Sequence, residues 1–184
     1  MGWTNQHAKH YYANGSINRK AECDDYLTFE AGDRKSEVLK SAMKGNVYYA
    51  AIKYTDKKEN TARVYGIVIL THSAMKYYLN FWYKGMSEDD GPCEDECPKG
   101  ILDLLTETDN NYALDWRERC RNNLKQSKSL SSVKIGEVIE FKYGSDIIRA
   151  KKMAPAYQFK TPWFQIVGEN HYIKKNHIKN WVRV

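Results

Sequence analysis

The sequence predicts an α+β protein in which helices accompany a three-stranded antiparallel sheet and a small SH3-like β-barrel follows. Three observations predict it. Apolar residues recur at helical spacing in several stretches before residue 127, alternate with polar ones between 47 and 84, and fall into short β runs after 132. The polar segment QSKSLSS, ending at 132, reads as a connector. The expected division is therefore an α+β body at 1–126, a linker at 127–132 and a basic barrel at 133–184.

A first helix is expected over 16–28, with Ser16 or Asn18 as its cap and Ala21, Cys23 and Leu27 turned to a core. A second is expected from Asp33 to Gly45. Asp33 can accept from the first backbone N–H groups, Val38, Leu39, Ala42 and Met43 share a helical face, and Gly45 supplies a stop. The runs VYYAAIKYT (47–55), ARVYGIVIL (62–70) and KYYLNFWYK (76–84) are rich in β-branched and aromatic residues, and short connections make them a meander. Their Tyr and Trp rings suit a half-buried pleated surface with the polar tip in water. Pro98 opens a short helix through ILDLL. A longer helix runs from Asn110 to about Gln126, capped by Thr108 or Asp109, with Ala113, Trp116, Cys120 and Leu124 inward and an Asp115–Arg119 pair outside. Five short strands follow at 136–143, 146–153, 162–167, 171–175 and 181–184, with turns at Gly144-Ser145 and Gly168-Glu169-Asn170.

A chain of 184 residues, 42% hydrophobic and with 14 Tyr and 5 Trp, has the means to build a core and does not read as disordered. It contains no run of about 18 apolar residues to span a membrane. Met1 to His10 lack the apolar stretch of a secretory signal, so the cytoplasm of whatever cell makes the chain is the expected location. In that reducing compartment Cys23, Cys93, Cys97 and Cys120 are expected as thiols.

Charge is unevenly placed. From Lys134 onward ten Lys and Arg stand against four acids, which accounts for the whole net charge of +6. The preceding residues sum to zero, yet they contain an acidic loop, Glu88, Asp89, Asp90, Glu94, Asp95 and Glu96, with no base between Lys84 and Lys99. That loop is a candidate surface for a basic partner.

Catalytic patterns are missing or incomplete, and no catalytic residue, metal ligand or cofactor is expected. Cys93 and Cys97 could chelate zinc only with two further ligands, and no second pair at a zinc spacing exists. The acidic loop lacks the alternation that directs carboxylates onto calcium. Glu140-Phe141-Lys142 matches half of a metal-dependent nuclease site, without a convincing upstream Asp. His7 with His10, and His171 with His177, have no matched nucleophile, and no phosphate-binding or dinucleotide fingerprint is present.

The basic barrel carries the clearest pattern. Lys142, Arg149, Lys151, Lys152, Lys174 and Lys175 lie around Tyr157, Trp163 and two phenylalanines, Phe159 and Phe164. Cations that meet phosphates and rings that stack on bases are the parts of a sequence-tolerant nucleic-acid surface.

At GWTNQHA, INRKAECD, GPCEDECPKGILDLLT and APAYQFKTPWF the chain resembles a family of small proteins from phages and mobile elements of Gram-positive bacteria. Some proteins of this general kind inhibit type II-A CRISPR-Cas9. The resemblance implies a counter-defence role and a partner in Cas9 or another host defence nuclease, reached directly or through its DNA or guide RNA. It transfers no site residue. The expectation is a non-enzymatic inhibitor, with a nucleic-acid-binding accessory protein and a metal-dependent nuclease as the alternatives.

Overall fold

In the computed structural model, which describes residues 2–73, 80–154, 163–178 and 180–184, the chain forms two compact units, Met1–Arg121 and Asn122–Val184.

The first unit is built on one antiparallel sheet of six strands: β1 (Thr4–His7), β2 (Phe29–Ala31), β3 (Arg34–Lys44), β4 (Val47–Asp56), β5 (Thr61–Ser73) and β6 (Asn80–Ser87). Their order across the sheet is β1-β6-β5-β4-β3-β2. The runs read as a meander fall within β4, β5 and β6, apart from residues 76–79, which lie outside the described residues. A sheet of six strands overturns the three-stranded expectation.

The helix expected over 33–45 is strand β3. Gly32, at φ 58°, and Asp33 turn the chain from β2 into β3, and Gly45, at φ 60°, opens the two-residue loop to β4. The misreading has a physical cause. The register shifts between Val38 and Lys40, so Leu39 is an extra residue that reverses the alternation. Ser36 and Val38 face Tyr54 and Ile52, and beyond the bulge Ser41 and Met43 face Ala50 and Tyr48. The three-residue step from Val38 to Ser41 imitates a helical period.

One helix, α1 (Arg19–Leu27), covers one face of this sheet. The Asn18 side chain caps it by accepting from Ala21 N. Its Cys23 and Leu27 pack with Tyr48, Ala50, Ile52, Ile69 and Phe81. Each large apolar side chain so buried contributes about 1.5–3 kcal/mol. Glu22 is buried too, and its Oε1 accepts from Lys9 N and His10 N at 2.5 Å each, tying the N-terminal segment to the helix.

The opposite face buries Tyr49, Ala51 and Val68. It is closed by residues 88–121, which include α2 (Lys99–Leu102) and the first half of α3 (Asn111–Ser131). The Trp116 ring lies where a Cβ on Gly66 would stand, 2.8 Å from its Cζ3, so only glycine admits it there. Trp116 Nε1 donates to Glu94 O at 2.8 Å. The cap of α3 is Asn110, whose Oδ1 accepts from Tyr112 N and Ala113 N, in place of the expected Thr108 or Asp109. Segment 127–132, read from its composition as a linker, is helical through Ser131.

The second unit holds five antiparallel strands, β7 (Val138–Tyr143), β8 (Asp146–Lys152), β9 (Trp163–Ile166), β10 (Tyr172–Lys174) and β11 (Trp181–Arg183). They are ordered β10-β9-β8-β7-β11. Among the described residues β10 and β11 are not bonded to each other, so this is an open sheet and the SH3-like barrel is not what forms. Its inner face, with Ile139, Phe141, Ala150 and Phe164, packs on Leu130, Val133 and Ile178. Among the described residues no helix is long and apolar enough to cross a membrane.

Candidate nucleic-acid interface

Successive residues of a strand point to opposite faces, so once Ile139, Phe141, Ala150 and Phe164 are inward their neighbours must be outward. By this rule Lys142, Arg149, Lys151, Trp163 and Lys174 share the outer face of the second sheet. Lys142, Arg149, Lys151 and Lys174 are exposed, and Trp163 is half-buried.

Pairing register orders this face. Lys151 stands opposite Val138 on one side and Gln165 on the other, and Gln165 in turn stands opposite Tyr172. Two strand spacings place Lys151 about 10 Å from Tyr172. On the adjoining row Lys174 pairs with Trp163, its Nζ 5.5 Å from the ring centroid. An exposed cation–π contact of this kind is worth about 0.5–1 kcal/mol. Arg149 Nε lies 3.0 Å from Glu140 Oε2, which tempers its charge without covering it.

Two other expected residues do different work. Lys152 alternates inward and is buried, and its Nζ donates to Val133 O and, at 3.2 Å, to Ser131 O. Lys175 Nζ donates to Ser131 Oγ. Both ammonium groups therefore sit at the C-terminal end of α3, where unpaired carbonyls and the negative end of the helix dipole attract cations. Burial, and then the neighbouring Lys152 charge, hold the Lys175 ammonium below its ordinary pKa. Tyr157 lies outside the described residues.

Three of the six carboxylates of the acidic loop are engaged inside the first unit. Glu88 is wholly buried, and its two oxygens accept from Arg117 Nε and Nη2 at 2.7 Å each. Asp89 accepts from Arg63 Nη2 with both oxygens, at 2.8 and 2.7 Å. Asp90 accepts from Ser87 N and completes a capping box around the 3-10 turn Glu88–Asp90. Glu94 lends its carbonyl to Trp116, and the Glu96 backbone is hydrogen-bonded to Tyr49. Glu94, Asp95 and Glu96 are all half-buried. Glu88 and Asp89 thus clasp Arg117 and Arg63, while Asp90 is exposed.

Cys93 is exposed and Cys97 buried, so the one thiol pair at a chelating spacing is split. Among the described residues no three His, Cys, Asp or Glu side chains are grouped to hold a metal ion. Glu140 and Lys142 are on one face, with Glu140 turned to Arg149.

Sequence reasoning missed Tyr172, half-exposed on the row of Lys151 and Gln165. Its signal in the sequence is its alternation with Lys174, which puts the two on one face, outside the aromatic stretch 157–164.

Among the described residues both sheets are antiparallel, and the outer face of the second carries cations and aromatic rings. A family described as a domain of unknown function, DUF6927, matches residues 107–144. No curated protein and no solved structure matches the chain.

Proposed function

We propose that this chain works by binding nucleic acid on the outer face of its second sheet, without catalysing a reaction. One observation carries the reading: Lys142, Arg149, Lys151 and Lys174 share that face with Trp163 and Tyr172, and the four cations and Tyr172 are exposed. Phosphate neutralisation by the cations supplies affinity, and stacking on the two rings adds about 1–3 kcal/mol per base. In the counter-defence role implied by the resemblance, the same face meets the guide or target strand of a defence nuclease such as Cas9.

Fluorescence anisotropy with labelled single strands and duplexes tests this. The quadruple reversal of Lys142, Arg149, Lys151 and Lys174 to Glu should abolish binding with the fold intact. Single removals should flatten the log–log salt dependence by about 0.7 on single strands or 0.9 on duplex. Unchanged affinity in the reversed protein refutes the reading. Retention on a nuclease-digested Cas9 complex, undiminished by the reversal, assigns the partner to protein instead.

A further inference from the structure

A cleft of about 640 Å³ opens on the α1 side of the six-stranded sheet. Its origin is a mismatch of lengths. The nine residues of α1 span about 14 Å, while the thirteen of β5 span about 43 Å, so the helix leaves part of the strand bare. Arg63, Tyr65 and Ile67 alternate along that stretch toward the buried Ile69, which forms the floor, with Tyr54 opposite Arg63 and Gly85 opposite Ile69. Tyr26 and Tyr83 form one wall, their ring centroids 4.6 Å apart. The volume suits a small molecule or a single side chain.

The chemistry of the lining selects among ligands. Four tyrosines contribute rings whose faces are electronegative. The charged lining residues are Arg63, Asp89 and Asp90, one cation against two anions. Arg63 is already committed: both Asp89 oxygens accept from it, and Glu88 Oε1 lies 3.7 Å away. The cleft thus offers an anion no free cation from these three groups, and Asp90 at the rim is exposed. Arg63 itself shows what the surroundings favour, since its guanidinium lies 5.3 Å from the Tyr65 ring centroid. Burial raises the hydroxyl pKa of Tyr65, and that of Tyr83 to about 12, so both rings stay neutral at ordinary pH.

The geometry points to a binding site for an organic monocation with an apolar body, such as an alkylammonium, held by tyrosine faces with Asp90 at the mouth. A free small cation and a basic side chain of a partner share this chemistry.

Titration of the full chain followed by NMR tests it, with choline, its neutral carbon isostere 3,3-dimethylbutan-1-ol, benzoate, and a short trimethyllysine peptide as probes. Saturable binding of choline or the peptide is expected, with the isostere about tenfold weaker. The tighter of the two cations names the source. Gly85→Leu should plug the cleft, because a Cβ there meets only Ile69 Cγ1, at 3.7 Å, and the larger side chain projects into the open space. Asp90→Asn, which changes no volume, should weaken the cations and spare the isostere. Equal binding of the isostere, preference for benzoate, or no saturable response to either cation overturns the proposal. None of these outcomes bears on the nucleic-acid face.

Discussion

Arg117 grips Glu88 through two parallel contacts of 2.7 Å, and neither side chain is more than 6% exposed. Removing one partner strands a buried charge, so Glu88→Gln or Arg117→Met alone should cost about 3–5 kcal/mol. The double replacement Glu88→Gln with Arg117→Met should cost clearly less than the two single losses added together. Urea unfolding midpoints of the three variants check this. Additive losses would mean that the pair is not coupled.

Adjacent lysines on β8 should behave oppositely. Lys151 faces outward, so Lys151→Ala should weaken nucleic-acid binding and leave stability within about 0.5 kcal/mol. Lys152 serves the end of α3, so Lys152→Ala should cost about 1–3 kcal/mol and leave affinity unchanged. Parallel denaturation and anisotropy measurements separate the two.

Acid should weaken the first unit through Asp24. Burial alone would raise its carboxyl, but hydrogen bonds from Lys20, Tyr48 and Ser41 outweigh that effect and hold it below the ordinary carboxylate range. A folded pKa below the unfolded one gives stability that is complete above about pH 4 and fades as pH falls through the lowered value. Asp24→Asn should therefore be less stable than wild type at pH 7, with the gap narrowing below about pH 4. A gap constant with pH would rule the carboxylate out.

Thiol accessibility should divide the cysteines. Burial raises Cys23 and Cys97, and raises Cys120 to about 11, while Cys93 is exposed. Iodoacetamide at pH 8 should modify one thiol in the native protein and four after denaturation, with Cys93→Ser abolishing the native reaction. Rapid native labelling of Cys97 or Cys120 would contradict the buried placement.

Local rules succeeded where one residue's chemistry decides the outcome. Asn18 caps α1, and Trp116 and Cys120 point inward, as their spacing indicates. They failed at β3, because a bulged strand and an amphipathic helix space their apolar residues alike and only pairing with β4 separates them. The outer face was half legible. Lys142, Arg149, Lys151 and Lys174 could be found from charge, but the different fate of Lys152 and Lys175 depends on where α3 ends. The acidic loop was legible as charge, but that Arg117 and Arg63, distant in sequence, meet Glu88 and Asp89 is decided by the fold.

Helix α3 supplies Ala113, Trp116 and Cys120 to one interior and Leu130 to another. A gene fusion or recombination breakpoint placed within 111–120 would strip apolar cover from the first half, and one at 130 or beyond would take Leu130 from the second. Neither half can be exchanged cleanly without carrying its share of the helix along, so this segment is where tolerance to insertions should be lowest.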